Sequence, residues 1–208
     1  MSTEEAPSSR RRVNWRSLLV EVVETAVMAA AIFFAVNLVS ARFRIDGASM
    51  LDTFRAGEYI VVSRFSYWYA DPQRGEIVVF VPPSSTPGSM LDGMLGRAGE
   101  TDFIKRVIGV PGDTVQVRDG QMFVNGTPLV EPYLPEPMLD FGGRFWEVAA
   151  DQLFVLGDNR NYSKDSRDPE VGLVSRAQIV GKVWAVYFPL DSWRRVVQFV
   201  YPELAPVP

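Results

Sequence analysis

Three short segments carry side chains that could do chemistry together. Gly47-Ala48-Ser49-Met50-Leu51-Asp52-Thr53 sets a serine among small residues. The stretch from Asp102 to Asp113 holds Lys105 in an apolar, strand-like run that ends in a Pro-Gly turn. Gly157-Asp158-Asn159-Arg160-Asn161-Tyr162-Ser163-Lys164-Asp165-Ser166-Arg167 alternates acids and arginines directly behind the apolar run Leu153 to Leu156. Each has a plain structural reading when taken alone. A turn serine bonds its own backbone, a lysine stem packs on a sheet while its head reaches water, and a polar loop is a solvated turn.

Composition narrows the chemistry. The chain contains no histidine and no cysteine, which excludes an imidazole base, a thiolate nucleophile, disulfides and thiolate metal sites. A serine hydroxyl is a poor nucleophile until a neighbouring base takes its proton, so that base must be a lysine or a carboxylate. A free lysine is neutral in only about one molecule in a thousand at pH 7.4. Burial beside Phe103 and Ile104 would disfavour the ammonium and make Lys105 a usable base. The dense polar loop suits a self-bonded structure that fixes geometry at a site. The carboxylates show no ligand spacing, so no metal and no other cofactor is expected. A net charge of −4, with no Lys/Arg run beyond the N-terminus, leaves nucleic acid outside the expected partners.

These segments need elements to position them, and 208 residues suit one membrane segment plus one compact domain. Residues 1–17 form a polar tail with Arg10, Arg11, Arg12 and Arg16, expected on the cytoplasmic side. Residues 18–40 are expected as a transmembrane helix: Leu18 to Val39 is interrupted only by Glu21, Glu24, Thr25 and Asn37 and would span roughly 33 Å of bilayer. A cleavable leader ending at Val39-Ser40-Ala41 and a buried soluble helix are the alternatives, and the apolar stretch is long for a leader core. Residues 41–208 change to short β-type runs punctuated by Gly, Pro and Asp. These are 59–62, 76–80, 114–117, 121–124, 153–156 and 179–188. Arg118-Asp119-Gly120 followed by Asn125-Gly126 reads as a hairpin with tight turns. Pro82 to Glu100 and Glu131 to Gly143 read as surface loops. The fold class expected is mainly β, mostly antiparallel, behind a single N-terminal helix.

Taken in order, the segments resemble the signature boxes of bacterial type I signal peptidases: Ser49-Met50 after the anchor, Arg74 to Phe80, Lys105 to Asp113, and Gly157 to Arg167. The resemblance implies a membrane-bound serine endopeptidase that removes signal peptides from exported preproteins, with Ser49 as nucleophile and Lys105 as general base. It implies Ser163 as the hydroxyl orienting the lysine amine, Asp165 and Arg167 as a bracing ion pair, and Asp158 and Arg160 as residues shaping the same loop. Phe43, Ile45, Gly47, Met50, Phe103 and Ile104 would line the binding site of an extended substrate. Exported preproteins and the lipid bilayer are the partners implied, with the catalytic domain on the outer face; the oligomeric state is left open.

The chain departs from the family pattern at Asp52, where proline is usual, at Gly47, where some members carry a serine, and at Asn161-Tyr162, where Asp-Asn is commoner. Two rivals compete. One is a self-cleaving repressor-type protease with the same Ser/Lys pair, which usually bears a DNA-binding module. The other is a catalytically silent, membrane-tethered β-domain.

Overall fold

The structure, a computed structural model, describes residues 15–83, 102–140 and 142–204. The tail carrying Arg10, Arg11 and Arg12 lies outside the described residues, as does most of the loop expected over 82–100. The chain divides into two compact units, Met1–Val36 and Asn37–Pro208.

One helix, α1, spans Trp15–Val39. It starts earlier than the expected Leu18, because Trp15 and Arg16 are good enough helix formers to extend the first turn. It is long and apolar enough to cross a membrane, with a mean hydropathy of 2.1 and none of that window buried. Every residue from Trp15 to Val36 is exposed.

The second unit is mainly antiparallel β, as expected. Its strands are β1 (Ser40–Arg44), β2 (Tyr59–Ser63), β3 (Ile77–Phe80), β4 (Phe103–Gly109), β5 (Thr114–Arg118), β6 (Gln121–Val124), β7 (Thr127–Pro128), β8 (Phe145–Glu147), β9 (Gln152–Leu156), β10 (Val174–Ser175), β11 (Ile179–Phe188) and β12 (Arg194–Arg195). Eight form one sheet in the order β1-β2-β11-β3-β4-β9-β10, with β12 added to β11; β7-β6-β5-β8 form a second.

Side-chain alternation explains why the central strands are apolar throughout. Ile77 and Val79 enter one core cluster with Phe43, Ile45, Met50 and Phe54. Val78 and Phe80 face the other way, into a cluster with Val107, Val155 and Val174. A strand sandwiched between two cores has no solvent face, so all four residues of β3 are buried. Each such side chain stabilises the fold by about 1.5–3 kcal/mol. Strand β5, with one solvated face, shows the alternating pattern instead. Its hairpin with β6 turns through Asp119 (φ 51°) and Gly120 (φ 70°), and the next turn through Asn125 (φ 52°) and Gly126 (φ 80°). Left-handed backbone at both central residues is what Asp-Gly and Asn-Gly supply.

One expectation needs correcting. Glu131 to Gly143 is not simply a surface loop: Met138 is buried, and the Glu131 side chain is only 6% exposed where it meets Arg160. The prolines and glycines signal a turn-rich segment but not what packs beneath it.

Candidate active site

The turn after β1 carries Ser49, and β4 carries Lys105. Strand β4 pairs with β3 through Val78↔Lys105 and Val79↔Ile104, so the run that includes the lysine is held against the apolar residues of β3. Lys105 is 3% exposed. Its Nζ donates to Ser49 Oγ at 2.8 Å and to the Ile104 carbonyl at 2.9 Å, and sits 5.2 Å from the centre of the Phe103 ring. Burial lowers its pKa to about 8, against the opposing pull of the Asp165 and Asp158 carboxylates. Neither carboxylate bonds the amine directly.

A cleft of about 410 Å³ opens at this pair. Phe43, Ile45, Gly47, Met50, Phe103 and Ile104 all line it together with Ser49 and Lys105, so the residues expected to meet substrate converge on one groove.

The loop from Gly157 packs behind the turn that carries Ser49. Asn159 N donates to the Ser49 carbonyl at 3.0 Å, and its side-chain amide donates to the Ala48 carbonyl at 3.1 Å. Gly157 lies where three elements meet: a Cβ there would come within 2.2 Å of Ser163 Oγ and 2.5 Å of the Ser49 carbonyl oxygen. Any side chain would push the Ser49 turn away from the loop. Asp165 accepts from Gly157 N at 3.1 Å and takes two 2.8 Å bonds from Arg167, while Arg167 donates to the Arg160 carbonyl at 2.6 Å. The loop is therefore self-bonded, as expected. Ser163 Oγ is buried in it without a hydrogen-bond partner among the described residues.

Arg106, next to Lys105, donates to both oxygens of Asp158 at 2.8 and 2.6 Å and to the Gly75 carbonyl at 2.9 Å. Burial opposes its charge, but the Asp158 bonds and charge outweigh it and hold the guanidinium above its ordinary pKa. Thr53 Oγ1 also donates to Asp158, tying the Ser49 turn to the same carboxylate. Arg160 pairs with Glu131 through two 2.6 Å bonds. Burial pushes the Glu131 pKa up, yet Arg160 holds it below the usual carboxylate range.

Sequence reasoning missed Arg106, Thr53, Asn159 and Glu131. Arg106, Thr53 and Asn159 stood inside the quoted segments, so the signal was present; Glu131 carried none. At the departures, the Leu51–Asp52 peptide is cis. Asn161 links the loop to Leu139 N, Glu136 and the Pro137 carbonyl, and Tyr162 is exposed. Among the described residues no group of His, Cys, Asp and Glu could hold a metal.

The model of the family described as signal peptidase, peptidase S26, matches residues 19–188. Signal peptidase I of Leptolyngbya laminosa is 36% identical, with 84% of this chain and 82% of that protein covered. Probable signal peptidase I-1 of Synechocystis is 38% identical over 76% of each chain. Signal peptidase I U of Bacillus subtilis is 32% identical over 86% of this chain and 93% of its own. A buried lysine hydrogen-bonded to a serine, a loop braced by ion pairs behind them, and relatives of this kind over most of the length lead to one conclusion: the chain belongs to the S26 signal peptidase family and is a serine peptidase that removes signal peptides.

Proposed function

We propose that Ser49 is the nucleophile and Lys105 the general base of preprotein cleavage. The observation that carries this is the 2.8 Å contact between Lys105 Nζ and Ser49 Oγ at a lysine burial has brought to a pKa of about 8. At that value about one lysine in five is neutral at pH 7.4, some two hundred times the free fraction. In the neutral form the direction of the bond reverses: the hydroxyl donates to the amine, and the proton passes to Nζ as Oγ attacks the scissile carbonyl. The Ser49 amide donates to no described group and is available to the oxyanion. The lysine ammonium then returns its proton to the leaving amine, and water hydrolyses the acyl-enzyme by the same base.

Ser163, whose buried hydroxyl has no hydrogen-bond partner among the described residues, is the group available to turn toward the lysine amine and orient it, and the Asp165–Arg167 and Asp158–Arg106 pairs hold the loop and strand in register. Substrate lies extended in the cleft with small residues at the first and third positions before the cut, because alternate side chains of a strand face the same way. Residues 18–40 anchor the enzyme in the membrane, residues 1–17 lie on the cytoplasmic side, and residues 41–208 form the catalytic domain outside.

Full-length protein in detergent, incubated with a preprotein, tests the assignment. Ser49→Ala and Lys105→Ala should both lose cleavage while keeping wild-type circular dichroism. Lys105→Arg should fail too, since guanidinium does not deprotonate. Substantial turnover by a folded alanine variant would rule out the pair.

A further inference from the structure

The cleft is apolar along much of its wall, yet besides Lys105 four charged side chains line it: Arg44, Asp46, Asp102 and Lys164. Three of them are already paired. Arg44 Nε lies 3.5 Å from Asp46 Oδ1, and Lys164 pairs with Glu170. Asp102 has neither an ion pair nor a hydrogen bond among the described residues, and only the more distant charge of Arg64 favours its ionised form. It is half-buried, and burial pushes its pKa up to about 6, so at neutral pH it is ionised. A partly desolvated carboxylate with no close counter-ion among the described residues is a site where a substrate cation gains more than it would at an open surface.

Its place along the cleft indicates which part of the substrate it meets. Asp102 precedes Lys105 by three residues of extended chain, about 10 Å at roughly 3.3 Å per residue. Strand β9 pairs with β4 only from Arg106 onward, so on the side away from β3 no described strand covers the edge from Asp102 to Lys105. An extended substrate laid along that edge advances at the same rise. For a substrate that runs parallel to β4 with its scissile carbonyl at Ser49, the residue level with Asp102 is the fourth or fifth before the cut, since the third must be small.

We propose that Asp102 is a specificity-determining residue that favours preproteins carrying a lysine or arginine at the fourth or fifth position before the cut. The inference rests on the Ser49/Lys105 reading and on an extended substrate.

The test uses full-length enzyme in detergent and four peptide substrates identical except at these two positions: glutamine at both, lysine at the fourth, lysine at the fifth, and glutamate at both. For the wild type, kcat/KM should be about threefold higher for one of the lysine peptides than for the glutamine peptide, the scale of a partly exposed ion pair. Asp102→Asn should bring that ratio to one. Asp102→Lys should reverse it, so that the glutamate peptide becomes the better substrate. A wild-type enzyme indifferent to lysine at both positions, or a lysine preference that survives in Asp102→Asn, overturns the proposal. Ser49→Ala, assayed on the glutamine peptide, separates the two levels: if it still cleaves, the active-site reading itself has failed, whereas an inactive Ser49→Ala with no Asp102 effect removes only the charge preference.

Discussion

Lys105 and Arg106 are neighbours on β4, both buried, at 3% and 2% exposure, but alternation sends them to opposite sides of the strand and into different company. On one side Arg106 meets the Asp158 carboxylate through two charge-assisted bonds. On the other, Lys105 meets a hydroxyl, a carbonyl and the Phe103 ring. The first environment raises a pKa and the second lowers one. A buried cation given a carboxylate is suited to bracing, and one denied a carboxylate is suited to the role of base proposed for Lys105. The residue types suit these ends: the guanidinium forks onto two oxygens and never deprotonates, whereas the ammonium is a point charge that loses its proton readily when desolvated.

The largest effect should come from removing the proposed base. Lys105→Met is expected to lower kcat by about a thousandfold or more while leaving the protein as stable as the wild type or more so, since it replaces an unpaired buried amine with an apolar chain. The sign follows from linkage. The folded-state pKa near 8 lies below the ordinary 10.5, so the amine destabilises the fold fully below about pH 8, and this penalty fades as pH rises toward 10.5. Any stabilisation in Lys105→Met should therefore be complete below about pH 8 and fade between pH 8 and about 10.5, as read by urea unfolding.

Breaking the brace should do the reverse. Asp158→Ala leaves the Arg106 guanidinium buried without its partner, and a loss of about 3–5 kcal/mol of stability is expected. Denaturant titration measures it; a loss under 1 kcal/mol would mean that the pair does not hold β4 to the loop.

A smaller effect should sharpen the contrast. The Asp165 carboxylate raises the Lys105 pKa from a distance, so Asp165→Asn should move the acid limb of kcat/KM to lower pH, by less than one unit. A shift to higher pH would contradict the electrostatic reading. The smallest effect belongs to Lys164→Ala, which breaks an exposed pair with Glu170; its urea midpoint should match the wild type, because surface pairs contribute little.

Much of this was legible in the sequence, for identifiable reasons. Lys105 stood out because the chain has no histidine, and Ser49 because small residues surround it. The span of β11, Ile179–Phe188, was read in full, since a long β-rich run carries its own signal. Strands β8, β10 and β12 are two or three residues long, too short for any periodicity to show. The Glu131–Arg160 pair joins residues far apart in the chain, and nothing local marks Glu131 among its prolines. The adjacency of Lys105 and Arg106 was plain, but which of them would receive Asp158 is decided by the path of the loop that begins at Gly157.

The claim at the centre is that Lys105 is a base because the fold withholds a counter-ion from it. Titrating the Lys105 amine by NMR in the full-length protein, with the resonance identified by its loss in Lys105→Met, tests this most directly when set beside the pH dependence of kcat/KM on a preprotein. A midpoint near 8 that coincides with the acid limb of activity is expected. A midpoint at the ordinary lysine value near 10.5, with activity already at its plateau at neutral pH, would contradict it.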